Sequence, residues 1–162
     1  MRQLRDLLLT HPIFHDFPEK YIEAINECAW EQEFLADQYL FWTGQEAKFL
    51  YIIRDGTVSL QAYTPEKGPV AIEKLGNGDI IGWSWLFPPY KWHLDAKAES
   101  PCHALVLDGR CILGKCADDH ELGYELMKRF NCIMLDRLAA TRMRLIDVYA
   151  KGHLTGSNYD FI

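Results

Sequence analysis

Aromatic residues are concentrated in one short segment of this chain. Three of its five tryptophans, Trp83, Trp85 and Trp92, fall within ten residues, and Phe87 and Tyr90 lie between them. Aromatic side chains bury large areas both in protein cores and in ligand pockets. The segment is therefore either a part of the core or the wall of a pocket for an apolar or aromatic small molecule, and the residue types leave both alternatives open.

Polar groups in the same segment suggest catalysis only weakly. Ser84 lies in Gly-Trp-Ser-Trp-Leu, which imitates the nucleophile elbow of hydrolases but lacks its final glycine. The chain contains no carboxylate pair placed for catalysis, no phosphate-binding Gly-x-x-x-x-Gly-Lys loop and no His-Glu-x-x-His motif. We therefore predict no catalytic residue and no enzymatic activity.

Histidine and cysteine side chains are the remaining candidates for chemistry, as metal or haem ligands. His93 and the Cys102-His103 pair qualify because neutral imidazole and thiolate bind such groups. A single histidine on a strand is more often a surface or hydrogen-bonded residue. Cys111 and Cys116 are too isolated from other cysteine or histidine pairs for a zinc site. We predict no metal and no haem.

The cysteines also indicate the compartment. They are odd in number and irregularly spaced, at Cys28, Cys102, Cys111, Cys116 and Cys132. This argues against a disulfide framework, and we expect reduced thiols that lie mostly in the core. No apolar run has the length of a membrane span, and the start "MRQLRDLLLTHPIF" resembles neither a signal peptide nor an anchor. A cytoplasmic protein without a membrane segment is predicted.

The net charge of −6 gives no general attraction to nucleic acid. The one basic concentration, "KRFNCIMLDRLAATRMR", has the spacing of a solvated helix face. The segment "YAKGHLTGSNYDFI", which ends the chain, is too short for a helix-turn-helix. We predict no direct contact with nucleic acid.

Elements that would position these residues follow from periodicity and turn signals. Short helices are predicted over residues 1–29, from Leu4, Leu7 and Leu8 at helical spacing and from Pro18 at a helix start. Alternating runs separated by glycine turns predict a β-roll over residues 30–110. In the run "WHLDAKAE", Trp92, Leu94, Ala96 and Ala98 share one face, which we expect to point inward.

A long helix is predicted over residues 118–151, before a tail of residues 152–162. Asp118 and Glu121 form a capping box, and Gly152 supplies a stop. Its length and second apolar stripe predict a homodimer. The predicted interface residues are Leu135, Leu138, Ala139, Leu145, Ile146 and Tyr149. The alternative is a monomer whose helix packs on the N-terminal helices. The whole chain, residues 1–162, is predicted to be a single domain.

Two stretches, "FWTGQEAKFLYIIRDGTVSL" and "LGNGDIIGWSWLF", resemble the cyclic-nucleotide-binding domain of the catabolite activator protein family. The resemblance runs from about residue 10 to residue 150. Gly44, Gly56 and Gly78 fall at the family's β-roll turns, and Tyr51-Ile52-Ile53 matches its central strand. It implies a mainly β fold, an eight-stranded β-roll flanked by short helices and followed by a dimerisation helix.

The resemblance also implies where a ligand would bind. In relatives that bind cyclic AMP, a glutamate follows the glycine that corresponds to Gly82, and an arginine pairs with the phosphate nine residues later. Trp83 and Trp92 take these two places. Carboxylate–diol and guanidinium–phosphate contacts are among the stronger polar interactions. Their loss predicts that cyclic AMP does not bind in the usual mode.

Some features keep a rebuilt nucleotide site open as the alternative. Lys91 offers a positive charge beside the arginine position, and the backbone N–H groups of Trp83 and Ser84 follow Gly82. Thr141 corresponds to the threonine that contacts the purine across the family's dimer interface. We predict a non-catalytic ligand-sensing or regulatory module for an apolar or aromatic small molecule or a protein partner, and alternatively a cyclic-nucleotide-binding protein. The candidate pocket residues are Gly82, Trp83, Ser84, Trp85, Tyr90, Lys91, Trp92, His93 and Thr141.

Overall fold

The computed structural model describes residues 2–150, so the predicted stop at Gly152 and the tail 152–162 lie outside the described residues. Within the described residues, those up to Gly123 form one compact unit, and those from Tyr124 onward form a second. No helix within residues 2–150 combines the length and the apolar character that crossing a bilayer requires.

The first unit begins with helix α1, Arg2–Thr10, a 3₁₀ turn, Pro12–Phe14, and helix α2, Glu19–Asn26. Eight strands follow: β1 Ala29–Phe34, β2 Tyr39–Phe41, β3 Phe49–Asp55, β4 Val58–Thr64, β5 Gly68–Leu75, β6 Ile80–Ile81, β7 Asp95–Ala98 and β8 Cys102–Asp108. A second 3₁₀ turn, Ser84–Leu86, lies between β6 and β7. Helices α3, Gly109–Asp118, and α4, His120–Ala150, complete the described chain.

The strands form two antiparallel four-stranded sheets, in the orders β1-β8-β3-β6 and β2-β7-β4-β5. The predicted mainly β fold with flanking helices and a long C-terminal helix is confirmed. The predicted turn glycines Gly44, Gly56 and Gly78 all have a positive φ, between 83° and 90°. Since side chains other than glycine are strained in that region, these turns were readable from the sequence.

Strand β7 is shorter than the run "WHLDAKA" predicts, because it begins only at Asp95. The backbone of Trp92 pairs instead with the loop after β2: it donates to the carbonyl of Gln45 at 3.0 Å and accepts from the N–H of Gly44 at 2.8 Å. The predicted inward face is nevertheless correct for Trp92, Ala96 and Ala98, which are buried.

The long helix begins later than predicted, because a separate helix precedes it. Asp108 caps α3 by accepting from the N–H of Cys111 at 2.8 Å. The cap of α4 is Asp119 rather than the predicted Asp118: its carboxylate accepts from the N–H groups of Glu121 and Leu122, each at 3.1 Å. Sequence reasoning missed α3, whose run "GRCILGKCAD" contains two glycines and little apolar periodicity.

The expectation that the cysteines are all reduced is wrong. Cys28, immediately before β1, forms a disulfide with Cys111 in the first turn of α3, and their Cα atoms are 5.6 Å apart. Eighty-three positions separate the two residues along the chain. Spacing arguments could not find the pair, because only the fold brings the end of α2 beside the start of α3. Cys102, Cys116 and Cys132 are free thiols.

Candidate functional site

The tryptophan-rich segment of residues 79–92, here called the cassette, leaves the first sheet at Gly82. Strand β6 pairs with β3 through Ile81 and Tyr51, and Gly82 then turns the chain at a φ of 92°. A Cβ atom at Gly82 would lie 2.7 Å from the carbonyl oxygen of Phe49 and 3.1 Å from a ring carbon of Trp92. Both the conformation and the close approach therefore require glycine here.

Trp92 is a core residue. It is 5% exposed, and its indole stacks on the ring of Phe41, with centroids 3.9 Å apart and an angle of 17° between the planes. The next ring is that of Tyr51, 5.8 Å from Phe41. Burial raises the pKa of the Tyr51 phenol to about 12, because the charged form is poorly solvated there. The surroundings of Trp92 are thus apolar and closely packed.

Trp85 is also buried, and it connects the cassette to helix α3. A Cβ atom built on Gly109, the first residue of α3, would lie 2.5 Å from the indole of Trp85. The Nε1 atom of Trp85 is buried and has no hydrogen-bond partner within residues 2–150. The contact therefore depends on packing between the indole and the glycine backbone.

The other predicted pocket residues of the cassette do not lie in the core with Trp92 and Trp85. Trp83 and Ser84 are partly buried at the start of the 3₁₀ turn. Tyr90 and Lys91 are exposed, and a backbone bridge joins Lys91 to Glu46. His93, and also Phe87 of the predicted aromatic wall, are exposed. The aromatic rings of the cassette are thus divided between the core and the surface.

Thr141 lies in the second compact unit, on α4. Its side chain is exposed, and its hydroxyl donates to the carbonyl oxygen of Arg137 at 2.8 Å, an ordinary bond within one helix. The predicted interface residues Leu135, Leu138, Leu145, Ile146 and Tyr149 are 45–63% exposed, and Ala139 is exposed as well.

The metal-ligand candidates are dispersed. Cys102 is fully buried, and burial raises the pKa of its thiol. His103 is the next residue of β8 and is exposed, so the two side chains point to opposite faces of the sheet. Within the described part of the chain, no group of three or more His, Cys, Asp and Glu side chains is placed to hold a metal ion.

Sequence reasoning also missed a cleft of about 160 Å³ in the first unit. It lies between the N-terminal helical segment and β3, away from the cassette, and His11 forms part of its wall. His11 accepts from the N–H of Ile13 through Nδ1 at 3.2 Å. Its Nε2 therefore carries the hydrogen and donates to the carbonyl oxygen of Gly78 at 2.9 Å. The histidine thus ties the helical segment to the turn before β6.

Comparison with known proteins places this arrangement in a wider group. The family model for the cyclic nucleotide-binding domain matches residues 31–119. Comparison with curated proteins gave no match. A solved cyclic nucleotide-binding domain from Methylobacillus flagellatus is 20% identical, with a TM-score of 0.78 over 98% of this chain and 86% of the other.

Two further solved structures share the fold. A protein from Geobacter metallireducens, described as a cyclic nucleotide-binding protein, is 22% identical, with a TM-score of 0.74 over 83% of this chain and 97% of the other. The regulatory subunit of a cAMP-independent protein kinase A from Trypanosoma cruzi, bound to guanosine, is also 22% identical. Its TM-score is 0.59, over 76% of this chain and 49% of the other.

Proposed function

Because the chain belongs to the family of cyclic nucleotide-binding domains, we propose that it is a non-catalytic regulatory module that does not bind cyclic AMP in the family's usual mode. The observation that carries this proposal is the position of Trp92. The residue that stands where the resemblance expects a phosphate-binding arginine is 5% exposed and stacked on Phe41.

Trp92 offers nothing to compensate the negative charge of a cyclic nucleotide. A cyclic phosphate is an anion, and it is held well only where a guanidinium or comparable donors replace its water. Trp92 contributes an apolar ring, which stacks on Phe41 and lies close to the backbone of Gly82. An anion placed there without compensation would cost several kcal/mol, which is about the penalty for unpaired buried polar groups.

An uncharged aromatic compound is the ligand class that this cassette fits better. Indole faces stack on aromatic rings without requiring a counter-charge. The guanosine complex of the Trypanosoma cruzi protein supports including an uncharged nucleoside, since that neighbour has the same fold. A ligand at the cassette of this chain would stack on the rings that solvent reaches, those of Trp83 and Tyr90.

Intrinsic tryptophan fluorescence, with calorimetry as a second readout, tests the proposal. Purified protein is titrated separately with cyclic AMP, cyclic GMP and guanosine. We expect no saturable change with either cyclic nucleotide up to millimolar concentration. Saturable binding of cyclic AMP at micromolar concentration in both readouts would overturn the proposal.

A specific observation favours one alternative, a cyclic-nucleotide site rebuilt around Lys91. This side chain is exposed beside Trp92 and forms no ion pair within residues 2–150. Its ammonium could serve as a point charge for a phosphate at the mouth of the cassette. In that case cyclic AMP binds the wild-type protein, Lys91→Ala loses the binding, and the matched variant Lys67→Ala retains it.

We further propose that the output passes through a second copy of the chain that pairs along α4. Leu135, Leu138, Leu145 and Tyr149 follow the three–four spacing of a coiled-coil seam, and Arg142 occupies the position between the second and third of them. These apolar side chains are about half exposed, and exposed apolar residues at this spacing along a helix are usually covered by a partner.

A further inference from the structure

The disulfide between Cys28 and Cys111 joins two regions that are far apart in sequence, and one of them carries the cassette's main helical contact. Cys28 connects α2 to β1, and Cys111 lies in the first turn of α3. Helix α3 contacts α2, β8 and the 3₁₀ turn of the cassette. The covalent bond therefore fixes the start of α3 to the base of the β-roll.

The first residue of α3 sets the space available to Trp85. A Cβ atom on Gly109 would lie 2.5 Å from the indole, so the helix backbone itself is in contact with the ring. The N–H of Gly109 donates to the carbonyl oxygen of Lys48 at 2.8 Å. Because Cys111 is only two residues further on, a displacement at the disulfide changes the surface on which Trp85 packs.

The other attachments of α3 are weaker than a covalent bond. Arg110 pairs with Glu46 at 2.8 Å, but their side chains are 82% and 50% exposed. Lys115 pairs with Glu27, whose side chain is 64% exposed. Exposed ion pairs contribute little to stability, since solvent competes for both charges. Opening of the disulfide thus removes the strongest single restraint on the start of the helix.

The two residues that form the bond differ in exposure. Cys111 is partly exposed, whereas Cys28 is 3% exposed. An incoming thiolate therefore attacks Sγ of Cys111, and the electron pair of the broken S–S bond goes to Sγ of Cys28, which takes up a proton. A second thiol of the same reductant then displaces Cys111 as a thiol, and the reductant leaves as its own disulfide. A small dithiol supplies both electrons and both protons.

We propose that Cys28 and Cys111 form a reversible thiol–disulfide switch that controls how tightly α3 holds Trp85 in the cassette. In the disulfide form the start of α3 is fixed and the Trp85 contact is rigid. In the dithiol form the start of the helix opens more often. The backbone amides of the cassette then exchange their hydrogens faster, and the cassette admits ligand more readily. The mechanical part of this switch does not depend on which ligand the cassette binds.

Hydrogen–deuterium exchange of the full chain tests the switch without any ligand. The protein is compared after oxidation by a small-molecule disulfide and after reduction by dithiothreitol, and alkylation followed by mass spectrometry verifies the state of Cys28 and Cys111. We expect amides of residues 83–92 and 109–118 to exchange at least threefold faster in the reduced protein. The hairpin of residues 58–75, remote from the bond in sequence and sheet order, should change much less.

Two variants complete the test. Cys111→Ser should exchange like the reduced wild type under both conditions, while Cys132→Ser, which removes an exposed free thiol, should respond as the wild type does. If Cys111→Ser does not fold, the two states of the wild-type protein decide the question. Equal exchange of residues 83–92 in the two verified states would overturn the proposal, and so would failure of the disulfide to form under oxidation. Neither result bears on whether cyclic AMP binds.

Discussion

The indole of Trp92 lies nearly parallel to the ring of Phe41, with centroids 3.9 Å apart, inside a roll where the family resemblance expects an arginine. The pair connects β2 to the end of the cassette. It makes the cassette a structural part of the core, so that any ligand must either bind outside the stack or displace it. The consequences for stability and for the turn at Gly82 can be measured.

Replacing Trp92 with alanine should be severely destabilising. We expect a loss of about 3–5 kcal/mol in the free energy of unfolding, because a large buried aromatic side chain leaves a cavity that the sheets cannot close. Urea unfolding followed by circular dichroism measures it. The matched variant Trp42→Ala removes a tryptophan that is 45% exposed and should cost clearly less. Equal losses would mean that the packing of Trp92 adds nothing to stability.

Alanine substitutions at Gly82 and Gly44 distinguish the stability cost of close packing from that of backbone conformation. Gly82→Ala and Gly44→Ala both place a side chain at a positive φ, 92° and 83°, but only the first meets atoms within 4 Å. We expect Gly44→Ala to cost about 1 kcal/mol from conformation alone. Gly82→Ala should cost at least twice as much, in the same unfolding experiment. Indistinguishable values would show that the turn relaxes away from Phe49 and Trp92.

Acidification should destabilise the folded protein through His11, whose Nδ1 must stay unprotonated to accept from the N–H of Ile13. Burial lowers the pKa of His11 below its usual 6.5, although the carbonyl of Gly78 and the charge of Asp79 oppose this. The unfolded chain therefore binds more protons than the folded one as the pH falls below 6.5, so the free energy of unfolding decreases there. Well above pH 6.5, His11 is neutral in both the folded and the unfolded chain, so it causes no further change in the free energy of unfolding.

The control for this pH dependence is His11→Gln, which keeps a side-chain acceptor and donor but does not titrate. Unfolding free energies of both proteins at pH 7.5 and at pH 5.5 give the comparison. The wild type should lose more stability than the variant over this interval. The same loss in both proteins would assign the effect to other groups.

The stripe on α4 predicts how the chain assembles. Leu138→Glu should convert a dimer into a monomer, because a carboxylate at the centre of an apolar seam is costly to bury. Ala140→Glu places the same charge about 160° around the helix at 100° per residue and should leave the dimer intact. Sedimentation equilibrium at micromolar concentration measures the mass. A monomeric wild type would contradict the pairing directly.

Much of the architecture was present in local sequence patterns. Alternation in "TVSLQAY" and the turn glycines Gly44, Gly56 and Gly78 predicted the strands and their bends, since both signals arise within a few residues. The same is true of the long helix, although its start was misplaced by two residues, from Asp118 to His120. The pocket residues remain predictions, because which side chains a ligand contacts depends on more than pattern.

What the sequence by itself determined, then, was the order of the N-terminal helices, the β-roll and the long helix, and the inward face of "WHLDAKAE". Only the tertiary structure decided that Trp92 stacks on Phe41, that Trp85 packs on Gly109 and that Cys28 reaches Cys111. Each of these pairs joins segments distant along the chain. Periodicity specifies which way a side chain points from its own backbone, whereas its partner is set by strand register and by how helices pack on the sheets, which local residue types do not encode.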